Sequence, residues 1–218
     1  MTSRTPDPAT MPVAELLRFD ISWYLRPVAE LAAMPRVGWL RILYTAWRFR
    51  GFRAILYYRW ANVAARGGHR FISGFLARRM IKSTGAEICP TAHIGPGLRL
   101  PHSQGVIVSH DARLGAFVTL GQHSTIGGNF GRMGDDGRYF PTLGDGVVLT
   151  AGAVVAGPVH VGNGVIAGAN TVIVKDVPEG AVVGGVPGEV IRISEEPTPG
   201  LAAARAMRGS DPGAAHVR

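Results

Sequence analysis

A single cysteine, Cys89, in 218 residues leaves no partner for an internal disulfide, so burial and hydrogen bonding must hold the fold without a covalent framework. No uninterrupted apolar stretch of about 18 residues occurs, which excludes a membrane-spanning helix, and no secretory leader is recognisable. The cytoplasm, with possible contact at the inner face of the membrane, is the expected compartment. Residues 87–187 also lack the 3.6-residue period of an amphipathic helix and the strict two-residue alternation of an isolated strand, which fits bundles and sandwiches poorly. What the chain has instead is glycine, 30 residues of it without a collagen period, as suits a solenoid with many tight corners.

Between Glu87 and Pro187 an aliphatic residue returns every six positions. Ile88, Ile94 and Leu100 keep this beat, then Val108, Leu114, Leu120 and Ile126, then Leu143, Leu149, Val155 and Val161, and, after a gap at Ala167, Ile173. The residue two before each is usually small or β-branched, as at Ala86, Ala92, Ala112, Val118, Ser124, Ala153, Val159, Val165 and Thr171. Gly, Asp, Asn and Pro are left to turn the corners. A six-residue repeat of this kind predicts a parallel β-helix in which three hexads make one triangular coil.

The beat fails twice. Two extra residues enter around Pro101-His102-Ser103-Gln104-Gly105, and a longer polar, glycine-rich insertion follows Gly127. A regular solenoid expels such segments as loops, and these often line a binding face. His102, in the first break, need not face the core, and a neutral imidazole there can take a proton from a hydroxyl. Glu87 precedes it by a little less than one coil, which makes the two expected neighbours on adjacent strands. A carboxylate at an imidazole fixes its tautomer and stabilises the imidazolium. A solvated surface histidine is the alternative from spacing alone.

Charge is unevenly placed. Residues 1–85 carry 14 Lys or Arg against 4 Asp or Glu, a net +10, and the remainder is net −2. From Trp39 to Ala64 arginine mixes with Trp, Tyr, Leu and Ile at helical spacing, which predicts two or three helices broken at Gly51 and at Gly67-Gly68. Such helices either pack their aromatic face on one another and on the first coil, or lie on a membrane surface with arginines against anionic headgroups. No base-reading or stacking module accompanies the charge, so nucleic acid is not an expected partner. The expected organisation is a flexible tail at 1–12, a helical N-terminal region at 13–84, a β-helix at 85–193 with an inserted loop at 128–140, and a flexible tail at 194–218.

The segments Ala86-Glu87-Ile88-Cys89-Pro90, Leu100 to Val108, Thr125-Ile126-Gly127-Gly128 and Val183-Gly184-Gly185-Val186-Pro187 resemble the serine acetyltransferase family of hexapeptide-repeat acyltransferases. The resemblance implies a mainly β fold, a left-handed parallel β-helix preceded by a small α-helical region, and a homotrimer, which could pair into a dimer of trimers. It also implies an acetyl-CoA site, without metal, in the groove between subunits. Carried across, the general base is His102, the carboxylate that orients it is Glu87, and the coenzyme contacts are Gly128, Ala151 and Ala169, where small residues admit the pantetheine arm. Taken alone, each of these three is equally a small residue required at a corner.

The departures concern the acceptor. The family's Arg-His pair for serine, just before the proline that restarts the solenoid, is replaced by Tyr139 and Phe140; the aspartate before the base is Pro101, and a further acidic contact aligns with Arg36. A free amino acid needs charged partners for its ammonium and carboxylate, whereas Tyr139 and Phe140 suit a larger, less charged acceptor such as a sugar ring. These changes resemble a subgroup associated with polysaccharide biosynthesis. Arg132 and Arg138 are placed to hold an anionic acceptor, to meet coenzyme phosphates, or to be solvated. The expected activity is therefore acetyl transfer from acetyl-CoA to a sugar or other non-serine hydroxyl, with serine O-acetylation as the alternative. A carbonic-anhydrase-like hydratase would need a His-x-x-x-x-His zinc pair that the chain lacks, and a silent scaffold would not need His102 and Glu87. Cys89, two residues from Glu87, is a weaker candidate for an acyl carrier than for a packing residue. The terminal Ala215-His216-Val217-Arg218 lacks the isoleucine with which family members dock a cysteine-forming enzyme, so no such complex is expected.

Overall fold

The computed structural model describes residues 10–26, 37–129, 131–135 and 137–209. Four helices precede the repeat: α1 (Val13–Leu25), α2 (Trp39–Arg48), α3 (Arg50–Arg66) and α4 (Arg70–Thr84). Short strands then wind a triangular prism with three parallel faces. Face A stacks β1 (Glu87–Ile88), β3 (Ile107–Val108), β6 (Thr125–Gly127), β9 (Val154–Ala156) and β12 (Val172–Ile173). Face B stacks β2 (His93–Ile94), β4 (Arg113–Leu114), β7 (Thr142–Leu143) and β10 (His160–Val161). Face C stacks β5 (Thr119–Leu120), β8 (Val148–Leu149), β11 (Ile166–Ala167) and β13 (Ala181–Gly184), and closes on the antiparallel β14 (Glu189–Ile193).

The six-residue beat is the inside of this prism. Ile88, Ile94, Leu100, Val108, Leu120, Ile126, Leu149 and Val155 are all essentially inaccessible, as are the small residues two positions before them, such as Ala86, Ala92, Val118 and Ala153. Ala167, an apparent gap in the beat, keeps its place in the core as a smaller filler. Regular coils pair residues eighteen apart, as Ile107 with Thr125. The first coil is longer by two, so that Glu87 faces Ile107, and the third is longer by eleven, so that Thr125 faces Val154. Corners are turned at positive φ by several glycines, and also by Asp111, Phe117, His123 and Asn170. Phe117 is the unexpected one: its left-handed backbone is costly for a bulky side chain, and is offset by full burial of the ring against Phe19 and Trp23.

The N-terminal helices differ from expectation in one respect. Gly51 does not break a helix; the break falls at Phe49, and Gly51 lies in the first turn of α3, buried. Its missing side chain lets the Leu100 carbonyl approach so closely that a Cβ would sit 1.8 Å from that oxygen. Tyr24 of α1 donates to the same carbonyl at 3.0 Å. Gly51→Ala is therefore expected to cost about 1–3 kcal/mol as the two backbones are forced apart, read as a lower urea midpoint; an unchanged midpoint would mean that this contact is not formed in solution. Gly67-Gly68 does end α3 as expected.

The end of the chain also departs from the expected tail. Pro199–Gly209 forms a helix, α5, with Leu201, Ala203, Ala204 and Met207 buried. It packs with Phe19 of α1 on Ala116 and Phe117, and Arg208 and Arg205 pair with Asp145 and Glu179. Its apolar residues recur at three- and four-residue spacing, a helical signal that the Pro, Ala and Gly content of the segment obscured. No described helix is long and apolar enough to cross a membrane.

Candidate functional site

The prism has three edges, and the sequence-derived candidates fall on two of them. The chain leaves face C at Leu100, rounds the C/A edge through Pro101–Gly105, and enters face A at Ile107. His102 lies in this turn, exposed. The turn is well supported from below: the Ser103 hydroxyl donates to the Thr84 carbonyl at 2.7 Å, and Gly105 N–H donates to Gly85 at 2.8 Å. Gly85, in the left-handed conformation, is the C-cap of α4, so the end of that helix fixes the base of the His102 turn. Leu100, pinned between Tyr24 and Gly51, fixes its start.

Above this turn the C/A edge continues as a column. His123 N–H donates to Gln104 at 2.8 Å, Gly152 to Gln122 at 2.9 Å and Asn170 to Ala151 at 2.9 Å. Gln104, Gln122, Ala151 and Ala169 thus occupy equivalent positions on successive coils. With about 4.8 Å between coils, Ala169 stands about 14 Å along the edge from Gln104. Ala151 is half-buried and Ala169 exposed, which leaves the upper two coils of this edge with little side-chain bulk beside the backbone.

Two placements bear on the expected site. The first concerns the dyad. Glu87 faces Ile107, five residues past the histidine, and no hydrogen bond or ion pair joins the two side chains within one chain. Both are exposed, Glu87 at the start of β1 and His102 on the adjoining corner. The second concerns Gly128, which does not join Ala151 and Ala169. It lies just past β6 on the A/B edge, where a Cβ would meet the Phe140 ring at 3.0 Å. One face of the prism, six residues or about 20 Å at strand rise, separates the edges.

The A/B edge carries the residues that surround Tyr139 and Phe140. His93, His110, Asp111, Arg113, Gly137, Arg138, Tyr139 and Phe140 line an open cavity there. The His110 ring meets the Phe140 ring edge-on, centroids 4.2 Å apart, and its Nδ1 is 3.2 Å from the Asp111 carboxylate. Arg138 donates to the Thr142 hydroxyl at 3.1 Å and to the Asp111 carbonyl. Spacing alone did not find His110, because it belongs to the coil below the insertion and is brought to Phe140 only by stacking. Arg132 is exposed in a separate hollow with Lys175 and Asp176, and Arg36 lies outside the described residues. Cys89 is half-buried, its sulfur 3.4 Å from the Thr91 hydroxyl. Among the described residues no group of three or more His, Cys, Asp or Glu could hold a metal ion.

A second feature that sequence spacing missed braces the whole arrangement. Asp20 of α1 and Arg59 of α3 form a bidentate ion pair with side chains 0% and 3% exposed. Arg59 also donates to the Ile94 and Gly95 carbonyls, and Asp20 accepts from Leu98 N–H at 2.8 Å. Burial pushes the Asp20 carboxyl up, with the Arg59 charge and its hydrogen bonds opposing. The Tyr58 hydroxyl beside it, pushed to about 12 by burial, remains a donor to Ala92.

No family model matches the chain. Individual proteins do. A serine acetyltransferase of Mycobacterium tuberculosis is 40% identical over 152 residues, covering 70% of this chain and 65% of that protein. One from Helicobacter pylori J99 is 35% identical over 172 residues, covering 79% of this chain and 96% of the relative. Among solved structures, the serine acetyltransferase of Vibrio cholerae superposes with a TM-score of 0.71 at 28% identity, covering 89% of this chain and 70% of that one. A serine acetyltransferase in complex with CoA superposes with a TM-score of 0.66 at 26% identity, covering 82% and 69%. These neighbours match the prism as a left-handed β-helix with a helical N-terminal region. The chain spans just under two thirds of the mycobacterial protein's length. Given the near-complete coverage of the Helicobacter protein, together with the hexapeptide coils and the lengthened corner at His102, the chain belongs to the serine acetyltransferase family.

Proposed function

We propose that the protein is an acetyl-CoA-dependent O-acetyltransferase in which His102 is the general base. The observation that carries this assignment is the C/A edge: the exposed His102 imidazole on a braced turn, with the exposed His123 one coil above it and the small residues Ala151 and Ala169 on the next two coils. The pantetheine arm lies along that edge. His102 takes the proton from the acceptor hydroxyl, the oxygen attacks the thioester carbonyl, and the imidazolium returns the proton to the departing thiolate. Glu87 orients the imidazole; catalytic hydrogen bonds are often long in unliganded proteins and tighten in the reactive complex. Because Gly128, Tyr139 and Phe140 stand on the A/B edge, the full site forms between two copies, with the C/A edge of one facing the A/B edge of the next. That requirement, with the family, supports a homotrimer.

Serine is the acceptor that the relatives' names favour. The A/B cavity supports it too. Tyr139 and Phe140 lack the charges of an Arg-His pair, but His110, Arg113 and Arg138 offer hydrogen bonds or positive charge for a carboxylate, and Asp111 offers a carboxylate for an ammonium. The sugar acceptor of a polysaccharide-associated enzyme is the second reading, favoured by the aromatic pair alone. Free-thiol release from acetyl-CoA, measured with serine, homoserine and nucleotide sugars, decides between them. Serine is expected to be turned over most efficiently, with Arg138→Ala raising its KM more than it lowers kcat. Turnover confined to sugars would overturn the serine assignment, and no thiol release with any hydroxyl acceptor would overturn the enzyme. Family membership weighs against the expectation that a cysteine-forming partner enzyme is excluded, and residues 215–218, on which that expectation stood, lie outside the described ones.

A further inference from the structure

Helix α2 shows solvent the face that an ordinary surface helix would bury. Ile42, Thr45 and Ala46 point inward, while Trp39, Leu40, Leu43, Tyr44 and Trp47 are exposed along the opposite stripe, Leu40 at 86% and Trp47 at 73%. Trp60 of α3 extends the patch, its ring 6.4 Å from that of Trp39, and Tyr44 and Trp47 lie 6.1 Å apart. The aromatic residues therefore do not pack wholly on one another and on the first coil. A patch of this size on a soluble protein marks a surface that meets something apolar.

The charge around it decides what that is. Residues 37–86 contain nine arginines and Lys82, and not one Asp or Glu. Of these cations Arg59 is neutralised by Asp20. Arg41 and Arg48 flank the apolar stripe on α2 itself, and Arg50 follows at the start of α3, all exposed. A second copy laid on this face would bring the same cations without a carboxylate to meet them, at a repulsive cost. An anionic lipid surface offers the reverse: hydrocarbon for Leu40 and Leu43, an interfacial layer that suits Trp and Tyr, and negative headgroups for arginine.

We infer that α2 and its arginine rim dock the protein on anionic membranes as a peripheral, in-plane contact. The contact is independent of which acceptor the enzyme uses, since none of these residues lies on the C/A or A/B edge.

Flotation of the full-length protein with phosphatidylcholine vesicles, with and without added phosphatidylglycerol, tests it. The protein is expected to float with the anionic vesicles only and to be released by salt. Trp47→Glu and the pair Arg41→Gln with Arg48→Gln are each expected to lower the bound fraction about tenfold or more. Trp47→Phe should retain binding, and all variants should keep the parent's sedimentation coefficient and its thiol release with soluble acceptor. Absence of flotation, equal flotation with neutral vesicles, or unimpaired binding by Trp47→Glu would overturn the inference. So would a lower oligomeric state in Trp47→Glu, which would make a second copy the occupant of this face.

Discussion

Replacing His102 with alanine is expected to lower thiol release by about 10²- to 10⁴-fold, the range for loss of a general base, while CoA affinity measured by calorimetry should change little. The separation of the two readouts follows from the geometry. The imidazole is exposed, whereas the turn beneath it is held by Ser103, Gly105 and the end of α4, none of which needs the side chain of residue 102. The proposed coenzyme contacts at Ala151 and Ala169 begin two coils higher. A variant that kept wild-type turnover would remove His102 from the chemistry. One that lost CoA binding in parallel would make it a binding residue instead.

Asp20→Ala is expected to be the most destabilising single change in the N-terminal region, at about 3–5 kcal/mol, because it leaves the Arg59 guanidinium buried without a counter-charge. Urea unfolding measures the loss. Replacing both partners, as in Asp20→Leu with Arg59→Met, should recover much of it, since two apolar groups no longer carry a desolvation penalty. A loss below about 1 kcal/mol for Asp20→Ala would match a solvated surface pair and contradict the burial. Because the pair grips Ile94, Gly95 and Leu98, the single variant should also loosen the first coil, and with it the strand that leads to His102.

The parts of this molecule that were legible in sequence are those governed by local repetition. Each inward hexad residue has the same job on every coil, so Ile88 and Val155 announce themselves in the same way, and the lengthened spacings at His102 and after Gly127 stand out against that regularity. Contacts made by stacking or by distant segments left no such trace. His110 meets Phe140 across an insertion, and Asp20 finds Arg59 across 39 residues. The Glu87 and His102 side chains are not joined in the single chain for a related reason: residues fifteen apart are short of a full coil, so the histidine sits on the corner before the strand opposite Glu87. Gly51 was misread because glycine within a helix usually signals a break, whereas here it admits the Leu100 backbone.

Helix α5 carries a consequence for how the protein comes apart. In an open solenoid each coil touches only its neighbours, so the array can fray from either end in steps. Here the last described helix and the first are both seated on Phe117, in the second coil, and Arg208 reaches Asp145 in the third. The linear stack is thereby closed into a circuit, with neither α1 nor α5 free to peel away without breaking contacts to the second and third coils. Such a chain should unfold as one unit, the behaviour of a compact domain in a protein built as a ladder.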